Sequence, residues 1–307
     1  MPVHRGILGD AEARLADSKI SAVPGTNGYC HESARPRRCH AIELHHTRLA
    51  NFAKIPVMSR IAQLTLLVDD RQHDEANVFI HGYKAISSQE QFAAVVHAIL
   101  TAKLRGRVYL LHWKSGKWST TRGVLAARTA YRAARVSKIF NPWMLALDVG
   151  LVAASEIAQF KMSERRSERL GKNLKRHLSR IPDAKSRPIN LIGHSLGARV
   201  IHAALAVGGW SDYNINDCVF LGGAADSAAD NWPACLAQID GRLYNGYSKY
   251  DTVLTMTPDL RKRVGSRAMS RVVIDGENKI VNKNCGRMSH TDYWQRLAFI
   301  LPKVWSK

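Results

Sequence analysis

Short runs of aliphatic and β-branched residues alternate with helical patterns along the chain from Pro56 onward. Runs of this length and composition are typical of buried strands. The predicted strands are AQLTLLV (62–68), NVFIHGY (77–83), RVYLLHW (107–113), INLIGHS (189–195), DCVFLGG (217–223), RLYNGYS (242–248) and RVVIDG (271–276). The predicted helices cover residues 89–103, 197–207 and 292–305. Strands that alternate with helices predict an α/β fold with a mainly parallel sheet, covered by helices on both faces.

Two segments depart from this alternation. Residues 1–55 lack a clean period and are rich in Arg, His and Ser, so we expect an N-terminal appendage to a domain over 56–307. The segment from about 114 to 187 is patterned as long helices instead of strands. We interpret it as a helical cap inserted into the domain on the side of the active site.

The string Gly193-His194-Ser195-Leu196-Gly197 joins a predicted strand to a predicted helix. This context is typical of a nucleophile elbow, in which a strained turn lifts a serine hydroxyl above the sheet. Small flanking residues leave room for the turn, and the helix N-terminus points at the negative charge that develops during attack. The string therefore predicts an α/β-hydrolase fold with Ser195 as nucleophile. The alternative is an ordinary turn in which the serine only caps the helix.

A serine nucleophile needs a histidine base and a carboxylate, which in this fold follow it in the order acid, then histidine. His290 lies in a loop before the last predicted helix and is the only histidine late enough in the chain. Asp251 follows the strand that ends at Ser248, the usual place for the acid. We expect Asp251 to orient His290, with Asp226 and Asp275, which follow or end other strands, as alternatives.

The pair His81-Gly82 ends the second predicted strand, where the second amide of an oxyanion hole is expected. We predict that the amides of Tyr83 and Leu196 form this oxyanion hole. The alternative is a glycine turn after a buried strand, since His-Gly pairs are frequent.

With these residues placed, most of residues 76–301 resembles the α/β-hydrolase family typified by transmembrane and coiled-coil domain-containing protein four. The stretches that carry the resemblance are INLIGHSLGARVIHAAL (189–205), CVFLGGAAD (218–226), GRLYNGYSKYDTVL (241–254) and GRMSHTDYW (286–294). The resemblance implies a bacterial-type serine hydrolase with the GHSLG elbow and Ser195, Asp251 and His290 as its triad. The resemblance says less about the substrate than about the fold and the triad. This chain lacks the strongly apolar membrane segments of the eukaryotic relatives.

The chain carries 45 Lys and Arg against 25 Asp and Glu, a formal net charge of +20 at pH 7. A field of this size attracts anionic partners and says nothing about the reaction. Much of the positive charge lies in the predicted cap helices. Their basic residues include Arg128, Arg132, Arg135, Arg165, Arg166, Arg169, Lys172, Lys175, Arg176 and Arg180. These residues suggest peripheral association with an anionic membrane, and the alternative is a solvated helix face. Nucleic acid is a weaker candidate, because no recognition motif is visible.

Five cysteines without a CxxC pair favour a reduced chain over a disulfide framework. Cys30-His31 and Cys39-His40 fit no standard zinc spacing, so we predict no metal and no organic cofactor. The N-terminus has no apolar leader and the longest apolar stretch, 142–160, contains two acids. We therefore expect a cytoplasmic or peripheral membrane protein, with signal-independent export still open.

Together these features predict a serine ester hydrolase that acts through a Ser-His-Asp acyl-enzyme mechanism. A helical cap with an apolar stretch favours a lipid or other long-chain ester, and the basic charge favours a phospholipid. The lipase or phospholipase interpretation leaves two alternatives. One is a non-catalytic binding protein with this fold, and the other is a peptidase or thioesterase with the same triad.

Overall fold

The computed structural model describes residues 62–83, 85–86, 88–116, 158–255 and 262–306. Its strands are β1 (Gln63–Val68), β2 (Ala76–Ile80), β3 (Arg107–His112), β4 (Ile189–His194), β5 (Ile215–Leu221), β6 (Leu243–Tyr247), β7 (Val273–Ile274), β8 (Glu277–Asn278) and β9 (Ile280–Asn284). Within the described residues, seven of them form one sheet in the order β1-β3-β2-β4-β5-β6-β9. All neighbours in this sheet run parallel except β1, which pairs antiparallel with β3 at the edge.

Helices cover both faces of the sheet. They are α1 (Gln89–Thr101), α2 (158–172), α3 (Leu174–Leu178), α4 (Leu196–Val207), α5 (Trp232–Leu236), α6 (Thr252–Thr255), α7 (Asp292–Gln295) and α8 (Leu297–Val304). One apolar cluster joins the sheet to α3, α4 and α5, and a second joins the opposite face to α1 and α8. A mostly parallel sheet between two helical layers, with a serine at the turn from a central strand into a helix, is the α/β-hydrolase fold.

The central strands are buried along their whole length. Every residue of β2 (ANVFI) and of β4 (INLIGH) is buried, because helices exclude water from both faces of the sheet. After the edge strand β1, the chain forms β2, adds β3 on one side of β2, and returns to place β4 on the other side. The carboxyl ends of β2 and β4 therefore flank a point where the strand order reverses, which is where open α/β sheets bind ligands.

The first six predicted strands and the helices at 89–103 and 197–207 are confirmed, and each of their bounds lies within three residues of the prediction. The prediction of a strand over 271–276 is wrong for most of its length. Only Val273–Ile274 is extended, in a two-residue hairpin with Glu277–Asn278, and the last strand of the main sheet is Ile280–Asn284. The single helix expected over 292–305 is two helices, because the chain turns at Arg296 with φ −115° and ψ 24°.

Part of the predicted domain organisation falls outside the described residues. The N-terminal appendage 1–55 lies there, as do residues 117–157 of the predicted cap and the pairs Cys30-His31 and Cys39-His40. From residue 158 onward the end of the predicted insertion is helical, as α2 and α3. Within the described residues, no helix is long and apolar enough to cross a bilayer.

Candidate active site

Ser195 occupies the turn between β4 and α4 in a conformation that few non-glycine residues adopt. Its φ is 55° and its ψ is −120°. Such strain persists only where the surrounding structure enforces it, and it is characteristic of a nucleophile elbow. The enforcement is visible at Gly197, where an added Cβ would lie 1.9 Å from the carbonyl oxygen of Ile80. The start of α4 therefore packs directly on the end of β2, and only glycine fits there.

Three side chains from three separate loops form one hydrogen-bonded chain. Ser195 Oγ lies 2.8 Å from His290 Nε2, and His290 Nδ1 lies 2.7 Å from Asp251 Oδ2. Because a carboxylate only accepts, Nδ1 carries the proton of the neutral imidazole and donates it to Asp251. Nε2 is then free to accept the hydrogen bond of the serine hydroxyl. The structure thus brings together all three residues that the sequence singled out.

Asp251 is fully buried and is held by its own loop. The amide of Leu254, in the first turn of α6, donates to Asp251 Oδ1 at 3.2 Å, so the two carboxylate oxygens have separate partners. The other two candidate acids lie elsewhere. Asp226 Oδ1 accepts from the amide of Ala228 in its own turn, and Asp275 sits in the β7–β8 turn with φ 51°. Neither of them is bonded to His290.

Ser248 joins the loop that carries Asp251 to the loop that carries His290. Its buried hydroxyl donates to the carbonyl oxygen of Gly286 at 2.8 Å and accepts from the amides of Tyr250 and Met288. Exposed parts of the same loops are also linked, because Arg287 and Lys249 both lie over the ring of Tyr250. The acid and the histidine are therefore positioned by one set of contacts.

His194, the residue before the serine, contacts the histidine loop directly. Its Nε2 lies 3.0 Å from the carbonyl oxygen of His290, so Nε2 carries a proton and donates it. The ring is buried against Tyr293 and Trp294, and burial together with the nearby His290 holds its pKa well below the ordinary value. His194 thus remains neutral and fixes the backbone of His290. No sequence pattern indicates this role beyond the position of His194 in the elbow.

The loop after β2 packs against Ser195 at Gly82. A Cβ added to Gly82 would lie 2.4 Å from the Ser195 Cβ and 3.0 Å from its Oγ, so the backbone approaches the hydroxyl as closely as glycine allows. Tyr83 follows at once, and its ring meets Phe160 of α2 edge to face at 5.4 Å. Leu196 is the first residue of α4, where the amide has no acceptor within the helix. The two predicted oxyanion amides therefore belong to segments that flank the hydroxyl.

The peptide after Gly82 is held by a buried histidine. The amide of Trp113 donates to His81 Nε2 at 3.1 Å, which leaves the ring proton on Nδ1, and Nδ1 donates to the carbonyl oxygen of Gly82 at 3.0 Å. Burial, with a smaller effect of the neighbouring His112, lowers the pKa of His81 to about 3. A neutral ring is therefore maintained. This hydrogen bond fixes the plane of the peptide that also carries the amide of Tyr83.

A separate cavity of about 430 Å³ lies between α2 and α4. Its lining includes Glu168, Lys172, Arg199, His202 and Asp226, and none of the residues bonded to Ser195. The candidate active site is therefore the space around the Ser195 hydroxyl and not this cavity. Among the described residues, no cluster of His, Cys, Asp and Glu has the arrangement of a metal site.

Three known proteins illustrate what the chain resembles. An uncharacterized membrane protein of Caenorhabditis elegans is 26% identical over 243 residues, covering 75% of this chain and 33% of that protein. The transmembrane and coiled-coil domain-containing protein STS1 of Oryza sativa subsp. japonica is 35% identical over 112 residues, covering 35% of this chain and 17% of that protein. This chain thus spans a third or less of the length of these relatives.

The third is a solved structure, the carboxylesterase CesB of Bacillus subtilis. It matches with a TM-score of 0.40 and 9% sequence identity, over 87% of this chain and 98% of its own. A likeness this distant carries no inference about reaction or substrate. Relationship is settled by the sequence instead, because one family matches 259 residues, 49–307, and so includes every residue of the Ser195 site. The chain belongs to that family, which is described as "Protein of unknown function (DUF726)".

Proposed function

We propose that the protein is a serine hydrolase that cleaves carboxylic esters through an acyl-enzyme intermediate, with lipid esters as its substrates. The observation that carries this proposal is the hydrogen-bonded chain from Ser195 through His290 to Asp251, set on a strained strand-to-helix turn. A buried carboxylate, an oriented imidazole and a hydroxyl in this order are the parts of a Ser-His-Asp triad.

In the proposed reaction, Ser195 Oγ attacks the ester carbonyl carbon while His290 Nε2 takes the hydroxyl proton. The carbonyl oxygen becomes an oxyanion, which accepts hydrogen bonds from the amides of Tyr83 and Leu196. His290 then gives the proton to the departing alkoxide, which leaves as an alcohol. A water molecule attacks the acyl-enzyme by the same route and releases the acid and the free serine.

Asp251 acts through His290. Its carboxylate accepts from Nδ1, which keeps Nε2 available as the base and stabilises the imidazolium that forms when the serine proton is taken. Because the carboxylate is fully buried, its charge acts on the imidazole with little screening by water.

The surroundings of the serine support a lipid ester rather than a small polar one. The aromatic rings of Tyr83 and Phe160 meet at the oxyanion loop, and both are only partly buried. Tyr250 and Val253, on either side of Asp251 in the chain, are 46% and 52% exposed. Apolar side chains left in contact with water around a polar reaction centre are typical of a site that receives an acyl chain.

A labelling and hydrolysis experiment tests this proposal. We expect a fluorophosphonate probe to form one covalent adduct, which mass spectrometry places on the peptide that contains Ser195. Among p-nitrophenyl esters from acetate to palmitate, we expect the long-chain esters to be cleaved with higher kcat/KM. The absence of an adduct would contradict the hydrolase, and a preference for acetate, for a thioester or for a peptide would contradict the lipid ester.

His194→Phe is expected to lower kcat for a soluble ester about tenfold and to leave KM unchanged. Phenylalanine keeps the aromatic packing against Tyr293 and Trp294 but loses the hydrogen bond to the carbonyl oxygen of His290, and a neutral hydrogen bond contributes about 1 kcal/mol. His194→Gln retains a donor and should recover part of the rate. Steady-state kinetics check this, together with thermal unfolding of both variants. A rate loss equal in the two variants, or an effect on KM alone, would argue against positioning by His194.

A further inference from the structure

Six exposed cations follow one another at intervals of three or four residues from α2 to the turn that follows α3. We call them the basic stripe, and they are Lys161, Arg165, Arg169, Lys172, Arg176 and Arg180. The intervals of three and four residues place them on one side of the helices. On the opposite side, Leu170, Leu174 and Leu178 are buried in the same apolar cluster, so the inner face continues from α2 into α3. The outer face therefore continues as well, from Lys161 to Arg180.

The acidic residues of α2 do not neutralise the basic stripe. Glu164 is turned inward, where its carboxylate lies 2.7 Å from Arg263 and 3.3 Å from Arg199. Glu168 lies 2.6 Å from the same Arg199. Both carboxylates are thus directed at arginines outside the stripe. Within the described residues, no ion pair joins a cation of the basic stripe to a carboxylate.

Other cations of this segment have structural partners, which separates them from the basic stripe. Lys175 donates to the carbonyl oxygen of Gly209 and lies over the ring of Trp210. Arg187 is buried and pairs with Asp74. Like charges four residues apart weaken a helix, so Lys161 with Arg165, and Arg165 with Arg169, do not stabilise this one. The cations of the basic stripe are exposed and none of them pairs with a carboxylate of the described residues, so their charge is available to a partner.

The position of the basic stripe indicates the partner. Phe160, the residue before its first cation, contacts Tyr83 of the loop that flanks Ser195. Met162, between the first two cations, is 47% exposed. The stripe therefore starts beside the candidate active site and carries an apolar side chain at that end. An apolar side chain among cations is suited to a phospholipid surface, where headgroups meet acyl chains.

We propose that the basic stripe docks the protein on an anionic phospholipid surface, with the mouth of the Ser195 site at the edge of the contact. The choice of lipid over another polyanion rests on the exposed Met162 and on the proposed function. The contact itself depends only on charge and exposure.

Binding to vesicles of ether-linked phospholipids, which an ester hydrolase cannot cleave, tests the docking separately from turnover. The full chain is sedimented with phosphatidylcholine vesicles that contain or lack phosphatidylserine. The stripe variant combines Arg165→Gln, Arg169→Gln and Arg176→Gln. A control variant with the same loss of charge combines Arg267→Gln, Arg271→Gln and Lys303→Gln, three exposed cations outside the basic stripe.

We expect the wild type to bind the phosphatidylserine vesicles and the Kd of the stripe variant to rise roughly 100-fold, since each cation near an anionic surface contributes about fivefold. The control variant should stay within about threefold of wild type. Hydrolysis of a soluble p-nitrophenyl ester should be the same in all three proteins. Equal binding by both variants, equal binding to neutral vesicles, or stripe-dependent binding of duplex DNA at lower concentration than vesicles would overturn the proposal. If the wild type did not hydrolyse the soluble ester at all, the proposed function would be overturned and the docking result would still stand.

Discussion

Ser195→Ala is expected to lower kcat for a long-chain p-nitrophenyl ester by about 10⁶-fold. The substitution removes the oxygen that forms the covalent bond, and no other hydroxyl is bonded to His290 Nε2 among the described residues. The fold should tolerate the change, because the side chain loses one hydrogen bond and alanine occupies less space. Initial rates of the variant and the wild type check the loss of activity. Thermal unfolding curves of the two proteins check that the fold is intact.

An exposed serine supplies the matched control for this measurement. Ser186 lies on the surface, and its hydroxyl only donates to the carbonyl oxygen of Asp183 in its own turn. Ser186→Ala should therefore keep the wild-type rate. If Ser195→Ala retained more than about a hundredth of the activity with an intact fold, the nucleophile would have to be another residue.

The strands with the clearest pattern in the sequence are those buried on both faces. In β2 and β4 every side chain is buried, so the runs ANVFI and INLIGH are mostly apolar, and the pattern is visible without a structure. The same run also gives the string 193–197 its meaning, because a GxSxG string indicates a nucleophile elbow only where it follows a buried strand. The predicted fold and the predicted nucleophile therefore depend on the same signal, an apolar run that forms a buried strand.

The strand that the sequence missed is at the other edge of the sheet. β9 has the sequence IVNKN, and only Ile280 in it is buried, because among the described strands β9 has a neighbour on one side only and pairs with β6 through its backbone. Backbone pairing leaves no pattern in side chains. RVVIDG looked more like a strand, yet it forms a two-residue hairpin in which Val273 is 48% exposed.

The sequence predicts the role of each residue of the candidate site separately, but it does not predict the contacts between them. Each of the three was assigned from its place after a strand or before a helix, and such rules give neither distances nor partners. The contacts made by His194, Ser248 and His81 cross tens of residues of chain and depend on how loops are packed together. No local pattern encodes them, since histidine and serine occur in many other settings.

Asp251→Asn is expected to lower kcat about 10⁴-fold, which makes it the sharpest test of how the site is assembled. An amide in place of the carboxylate can donate its NH₂ to His290 Nδ1, which favours the tautomer with the proton on Nε2. The imidazole could then no longer accept the serine proton, and the imidazolium would lose its counter-charge. Rates of fluorophosphonate labelling should fall in parallel, because the probe reports the reactivity of Ser195.

Asp226→Asn is the matched control for this prediction, because the sequence alone leaves Asp226 as an alternative to Asp251. Asp226 receives one backbone hydrogen bond in its own turn and lines the cavity between α2 and α4. Its replacement by asparagine should therefore leave kcat within about threefold of wild type, as expected for a carboxylate away from the reacting groups. A larger loss in Asp226→Asn than in Asp251→Asn would mean that a different carboxylate serves His290 during turnover, and the hydrogen bond at 2.7 Å would then be a resting contact without a catalytic role.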